Sequence, residues 1–255
     1  MQLLMGQSRS KPDRDQVAGM RGSESAIVSW AGRTAAVWHE RVDTPDHEDI
    51  GMLRAPTVDW VDTLRLPDGR AVIIRAARPG DEPLIQAFVH GLSMHSRYQR
   101  FFLPLHEMLP DHLERLTHAD PQSDMALLAF EWTGAGTGAI AGIVEYGSQP
   151  GSDTCELAVV VGEHWRRQGL ALRLMQDIAQ IAIANGFAQA AVEVLRDNPP
   201  AQELARRIGA TPVVGAAPSP GGAVRLTASL RTAASNRSTL GHLVRLHPIT
   251  TLGPS

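Results

Sequence analysis

Apolar residues recur along this chain with two periods, and turn-forming residues separate the runs. "LRLPDGRAVIIR" alternates apolar and polar positions on both sides of Pro67, Asp68 and Gly69. That predicts a β-hairpin, because Gly tolerates positive φ and Pro presets its own. In "PGDEPLIQAFVHGL" the period lengthens: acidic residues come first, where a helix N-terminus favours them, and Leu84, Phe88 and Leu92 recur at fours, so an amphipathic helix is expected. "SMHSRYQRFF" and "PDHLERLTH" predict two further short helices. "MALLAFEW", "AIAGIVEYG" and "TCELAVVVG" follow between Gly, Ser, Pro and Asp clusters and predict a meander of three strands.

"GLALRLMQDIAQIAIANG" then sets Ala171, Leu174, Met175, Ile178 and Ala182 on one helical face, with Asn185-Gly186 as its stop. "AQAAVEVL" reads as a strand and "PPAQELARRIG" as a helix with proline allowed in its first turn. "TPVV" and "AVRLTASL" read as closing strands. The expected fold class is α+β or α/β, a mixed sheet with helices packed on it. No repeat of 20 to 50 residues interrupts this order.

Outside residues 62–231 the periodicity fails. Residues 1–61 mix Gly, Ser, Arg, Asp and Glu around small apolar clusters. A poorly ordered N-terminal extension is expected there, with a marginal hairpin around Trp30 and Trp38. Residues 232–255 read as a flexible tail. A chain of 255 residues with 43% hydrophobic content fits one core. A net charge of -3 gives no global reason to seek nucleic acid or an anionic membrane. The single cysteine, Cys155, rules out an internal disulfide framework and a thiolate zinc cage, and fits a reducing compartment. The start, "MQLLMGQSRSKPDRD", has too few apolar residues for a signal-peptide core, and no later stretch reaches the length of a membrane span. Cytoplasmic location is the expectation.

Candidate chemistry concentrates in "VVVGEHWRRQGLALRLM", Val159 to Met175. A strand delivers into a helix through Arg166, Arg167, Gln168 and Gly169. The first N–H groups of that helix lack intrahelical partners, and the macrodipole makes the end positive. Gly169 permits close approach of the backbone to a phosphate, Ala171 keeps the next outward position small, and the arginines add charge, so a diphosphate is the natural guest. The bland alternative makes Gly169 a residue that begins a helix and the arginines solvated charges. A strand before the pattern and a long helix after it favour the anion site.

Other signals carry less. "GAGTGA", Gly134 to Ala139, fits a loose dinucleotide fingerprint but leads into a strand, so it reads as a turn. Histidines 90, 95, 106, 112 and 118 lack the spacing that puts two ligands on one helical face, and no metal is expected. Alternation sends Cys155 to the sheet face opposite Glu156, which argues against a nucleophile.

"ELAVVVGEHWRRQGLALRLM" resembles the central acyl-CoA-binding motif of the GNAT superfamily of acyltransferases: Arg or Gln, two residues, Gly, one residue, Gly or Ala. Arg166, Gly169 and Ala171 fill it. The resemblance covers about residues 62–231, and the order of elements agrees. "GLSMHSRYQRFF", "DMALLAFE", "ELAVVV" and "LARRIGA" resemble the bacterial protein lysine acetyltransferases that act on acyl-CoA synthetases.

The resemblance implies an N-acetyltransferase that takes acetyl-CoA as cosubstrate and transfers its acetyl group directly to an amine. The favoured acceptor is a protein lysine, as on an acyl-CoA synthetase. A small amine or amino acid is the alternative, and a non-catalytic acyl-CoA-binding module the third reading. It assigns the diphosphate to Arg166, Arg167, Gln168, Gly169, Leu170 and Ala171, and main-chain pairing with the pantetheine arm to Val159 and Val161. Asn198 resembles the asparagine that touches that arm, and also suits a helix N-cap. A lysine ammonium with a pKa near 10.4 needs a base at neutral pH. Glu156 matches the position of the subfamily's glutamate base, with Glu145 and Glu193 in reserve. Ala205 stands where many members carry a tyrosine acid. "SRYQRFF" corresponds to the wall of the acceptor groove, with its phenylalanines expected in the core and Arg97 and Arg100 solvated.

Overall fold

A computed structural model describes residues 60–235 apart from 104, 135 and 216–221. The hairpin expected around Trp30 and Trp38 lies outside the described residues. In chain order the elements are β1 (Val61–Arg65), β2 (Ala71–Ala76), α1 (Glu82–Gly91), α2 (Met94–Phe101), α3 (Pro110–Thr117), β3 (Asp124–Trp132), β4 (Thr137–Ser148) and β5 (Thr154–Val161). Then come α4 (Leu170–Ala184), β6 (Gln189–Leu195), α5 (Pro199–Arg207), β7 (Thr211–Pro212), β8 (Ala223–Ser229) and α6 (Leu230–Ser235). Helix α6 continues four residues past position 231 and buries Leu230 and Ala233.

The strands form one sheet in the order β1-β2-β3-β4-β5-β6-β8-β7. Every neighbouring pair is antiparallel except β5 with β6, which the α4 crossover makes parallel. Two apolar layers cover the two faces. Leu174, Met175, Ile178 and Ala182 of α4 and Ala205 and Ile208 at α5 pack on Val144, Tyr146, Cys155, Leu157 and Val192. On the opposite face, Ile85 and Val89 of α1, Phe101 of α2 and Leu116 of α3 pack on Leu128, Phe130, Ile143 and Val160.

Helix α1 buries Leu92 as expected and packs Phe88 half-buried against the core, but the stripe is rotated at the helix start. Ile85, Val89 and Leu92 are buried, whereas Leu84 is 45% exposed. Both sets satisfy the i, i+4 rule, and the docking of the helix start decides between them. Asp81, the N-cap, takes Arg75 in a bidentate ion pair at 2.6 and 2.8 Å and so fixes how the first turn rolls onto β2.

Candidate active site

The parallel pairing of β5 with β6 is short. It joins Thr154–Glu156 to Gln189–Ala191, and beyond those residues the strands diverge. Gly162 donates its N–H to the Ala141 carbonyl on the β4 side at 2.9 Å. Because main-chain groups alternate along a strand, the N–H and C=O of Leu157, Val159 and Val161 turn toward β6, into the gap. The Val161 carbonyl accepts from Arg166 Nε at 3.0 Å. The gap opens a cavity of about 550 Å³ between β5, β6, α2, α4 and α5.

Of the residues singled out by sequence, Glu156, Val159, Val161, Arg166 and Arg167 line this cavity, as do Gly169, Leu170, Ala171 and Asn198. Gln168 does not line it. Its neighbours make the turn: Arg167 and Gly169 both take positive φ, at 60° and 81°. Gly169 is the N-cap of α4 and supplies no side-chain cap. A Cβ on Gly169 would meet nothing within 4 Å, so its lack of a side chain serves the backbone conformation and whatever approaches from outside. The first N–H groups of α4 therefore face the cavity mouth with the positive end of the helix dipole behind them.

Both arginines are exposed, Arg166 with 41% of its side chain open to solvent. Arg166 directs its guanidinium inward, to the Val161 carbonyl, to Ser96 Oγ at 2.8 Å and to Glu163 at 3.6 Å. Glu163 sits in the 3-10 turn Glu163–Trp165 that precedes it. It also accepts from Ser96 Oγ at 2.6 Å and from the Ser93 N–H at 3.1 Å. Although burial pushes its carboxyl up, the hydrogen bonds from Ser96 and Ser93 outweigh this and hold it at about 2. The turn is thus tied to the first turn of α2. Asn198 caps α5 by accepting from the Ala201 N–H at 3.2 Å while it lines the cavity. Ala205 is buried at the cavity wall. The chain's two tyrosines offer no replacement acid there: Tyr146 is buried on the α4 face with its hydroxyl donating to Pro121 O, and Tyr98 is on the outer side of α2.

The three glutamates weighed as bases occupy one sheet face, since Gly147 pairs with Glu156 and Glu156 with Ala191. Glu156 lines the large cavity and also a second, polar one of about 330 Å³ bounded by Gly147, Ser152, Thr154 and Arg225. Glu193 lines the large cavity and lies 3.7 Å from Arg225 on β8. Glu145 is set behind both, 1% exposed, in an ion pair with Arg100 and 3.0 Å from His112 Nε2. Cys155 faces the α4 layer, and burial pushes its thiol up to about 12, which removes it from nucleophilic chemistry.

Arg100 corrects the expectation of a solvated side chain: it is buried, and it lines the cavity beside Glu156. Arg97 is half-buried and donates to the carbonyls of His90 and Leu92 at the end of α1. Phe101 is core, whereas Phe102 adopts φ 57° and lines the cavity. Sequence reasoning missed Ser96, Glu163 and His112. The one available signal was the i, i+4 spacing of Ser96 and Arg100, which places both on the inner face of α2.

Residues 91–210, which contain every residue lining the large cavity, match the acetyltransferase (GNAT) family. An acetyltransferase of Pseudomonas aeruginosa, PA5475, is 32% identical over 130 residues, 51% of this chain and 68% of that protein. The crystal structure of the GNAT domain of S. lividans PAT superposes with a TM-score of 0.59 at 26% identity, covering 67% of this chain and 97% of that one. The spermidine N-acetyltransferase of Vibrio cholerae, solved with CoA and spermine, shares the fold with a TM-score of 0.51 at 14% identity over 64% of this chain and 97% of its own. A splayed parallel strand pair, a glycine-bent turn into α4 and a match to an acetyltransferase over two thirds of its length lead to one assignment: the chain belongs to the GNAT family of acetyltransferases.

Proposed function

We propose that the chain transfers the acetyl group of acetyl-CoA directly to the side-chain amine of a protein lysine, with Glu156 as general base. The observation that carries the reading is the position of Glu156 at the junction of two cavities, one lined by the α4 turn and one polar and separate. Donor and acceptor approach one carboxylate from two sides.

The diphosphate of the cosubstrate sits against the N–H groups that begin α4, with Arg167 as an exposed cation. Arg166 shapes that turn by holding the Val161 carbonyl and Ser96. The pantetheine arm adds to β5 as a strand would, through the main-chain groups of Val159 and Val161 that face the gap. Asn198 meets the arm with the amide nitrogen that its capping bond leaves available. Glu156 accepts a proton from the lysine ammonium, the neutral nitrogen attacks the thioester carbonyl, and an N–H of the Val159–Val161 run receives the developing oxyanion. The C–S bond then breaks. The second proton of the acylated nitrogen passes through water to the leaving thiolate, which with a pKa around 8.5 departs without a tyrosine acid.

A protein acceptor is favoured by α2, which walls the cavity through Ser96, Gln99 and Arg100 and presents Met94 and Tyr98 outward, 65% and 37% exposed. They form an apolar rim for the chain around a lysine. The sequence resemblance to lysine acetyltransferases of acyl-CoA synthetases supports the same choice, and a reducing cytoplasm suits the buried single thiol. Among the described residues no helix is long and apolar enough to cross a membrane.

Glu156→Gln is expected to lower kcat by about 10²–10⁴-fold while calorimetry shows acetyl-CoA binding unchanged. Wild-type turnover is to be compared on a purified acyl-CoA synthetase and on free polyamines and amino acids. Full activity of Glu156→Gln would remove the base assignment, and turnover restricted to the small amines would remove the protein acceptor.

A further inference from the structure

The α1–α3 face of the sheet buries a cation between two carboxylates. Arg100, with a side chain 7% exposed, is ion-paired with Glu145 on β4. Glu156 is on the adjacent strand and the same face, because it pairs with Gly147, two residues along from Glu145. Arg100 and Glu156 line the same cavity, whereas Glu145 supports Arg100 from behind.

This arrangement answers a difficulty that Glu156 faces as a base. Two carboxylates on one sheet face repel, Glu145 buried and Glu156 half-buried, and removing a cation from between them raises the proton affinity of both. A protonated carboxyl cannot accept another from an ammonium. The neighbouring groups do not supply that cation equally well. His112 on α3 contacts Glu145, but burial and the charges of Arg100 and Arg115 hold it at about 3, so it is neutral and its Nε2–H donates to Glu145. Arg225 on β8 borders Glu156 from the polar cavity but lies at 3.7 Å from Glu193 on β6 and is 37% exposed. On the far wall, Glu203 of α5 pairs with Arg207 at 2.9 Å.

We propose that Arg100 is a positioning residue for the general base: clamped by Glu145, it holds its charge against Glu156, keeping that carboxylate ionised and directed into the cleft at neutral pH. Burial draws Arg100 down to about 10 and the charge of Glu156 opposes this, so the cation persists well above neutrality. Helix α2 keeps it in place. One turn earlier on the same face, Ser96 joins Glu163 and Arg166 in the turn before α4. The groups assigned to the diphosphate and the base are therefore held by a single helical turn. The inference rests on the reading of Glu156 as base.

The test is the pH dependence of kcat/KM for the wild type, Arg100→Met, Arg100→Lys, Glu145→Gln, the Arg100→Met/Glu145→Gln double variant and Glu156→Gln. In Arg100→Met the acid limb is expected to move up by about one pH unit, with a roughly tenfold loss on the acid side of the limb that shrinks toward alkaline pH, and KM for acetyl-CoA unchanged. Arg100→Lys keeps the limb near its wild-type position. The double variant returns it part of the way, since the competing carboxylate is gone, yet leaves it above that of Glu145→Gln. If Arg100→Met does not fold, this last pair carries the test. Coincident limbs in that pair, or an Arg100→Met loss equal at every pH, would overturn the role of Arg100 while an inactive Glu156→Gln leaves the base in place. An active Glu156→Gln would overturn both.

Discussion

Strand β4 turns Val144 and Tyr146 toward α4 and Ile143 and Glu145 toward α1–α3, and the layers on its two sides differ in kind. The α4 layer is apolar and tight where it meets the sheet. A Cβ on Gly142 would come within 3.1 Å of Leu174 Cδ1 and of the Val160 carbonyl, so the helix packs into the space that the glycine leaves. The α1–α3 layer has an apolar base of Ile85, Phe101 and Leu128, but near the strand splay it buries Arg100, Glu145 and His112. Hydrophobic contact holds the first layer. The second gives up part of that contact to place charge beside the cavity. Buried charge occurs in the α4 layer as well, where Asp177 pairs with Arg173 at 2.8 Å, so what sets the α1–α3 cluster apart is that Arg100 borders the cavity, and its stability there depends on complete pairing.

The largest effect should follow from breaking that pairing. Glu145→Ala leaves Arg100 buried without its clamp and is expected to lower unfolding stability by about 3–5 kcal/mol in urea titration. A loss within the range of surface substitutions would mean that the cluster is better solvated than its burial implies. On the apolar side, Gly142→Ala should cost about 1–3 kcal/mol through overpacking against Leu174, with acetyl-CoA binding retained. An unchanged midpoint would show that α4 has room to yield.

The smallest and most specific effect concerns pH. His112 is held at about 3 in the folded chain against a usual 6.5. A depressed folded value means that the stability contribution is complete above 6.5 and is lost as pH falls from there toward 3, because the unfolded chain binds the proton first. Wild-type stability should therefore fall more steeply below pH 6.5 than that of His112→Gln, which can still donate to Glu145. Parallel curves for the two proteins would exclude a neutral, buried histidine at that position.

How far the sequence could be read depended on the range over which each feature is decided. The strands, the turn at Gly169 and the stop at Asn185-Gly186 followed from local chemistry, since a positive φ or a period of two needs only the residues that show it. Helix α1 was placed correctly and Leu92 with it, but the start of its stripe was not, because Leu84–Phe88 and Ile85–Val89 have equal spacing and the Arg75–Asp81 pair sets the roll. Arg166 was anticipated at the cavity, but its inward partners Ser96 and Glu163 were not. Ser96 comes from a helix 70 residues earlier in the chain. Arg100 was expected in solvent because arginines in general are.

The sequence alone determined the elements, their order and the glycine-bent turn that exposes the start of α4, because backbone conformation and apolar period are properties of consecutive residues. Only the tertiary structure decided which of three glutamates faces two cavities, that β5 and β6 separate after Glu156, and that Arg100 is enclosed by Glu145 and His112, which are themselves 33 residues apart. Burial and charge pairing depend on what distant segments bring to a side chain, and no local pattern encodes that neighbour.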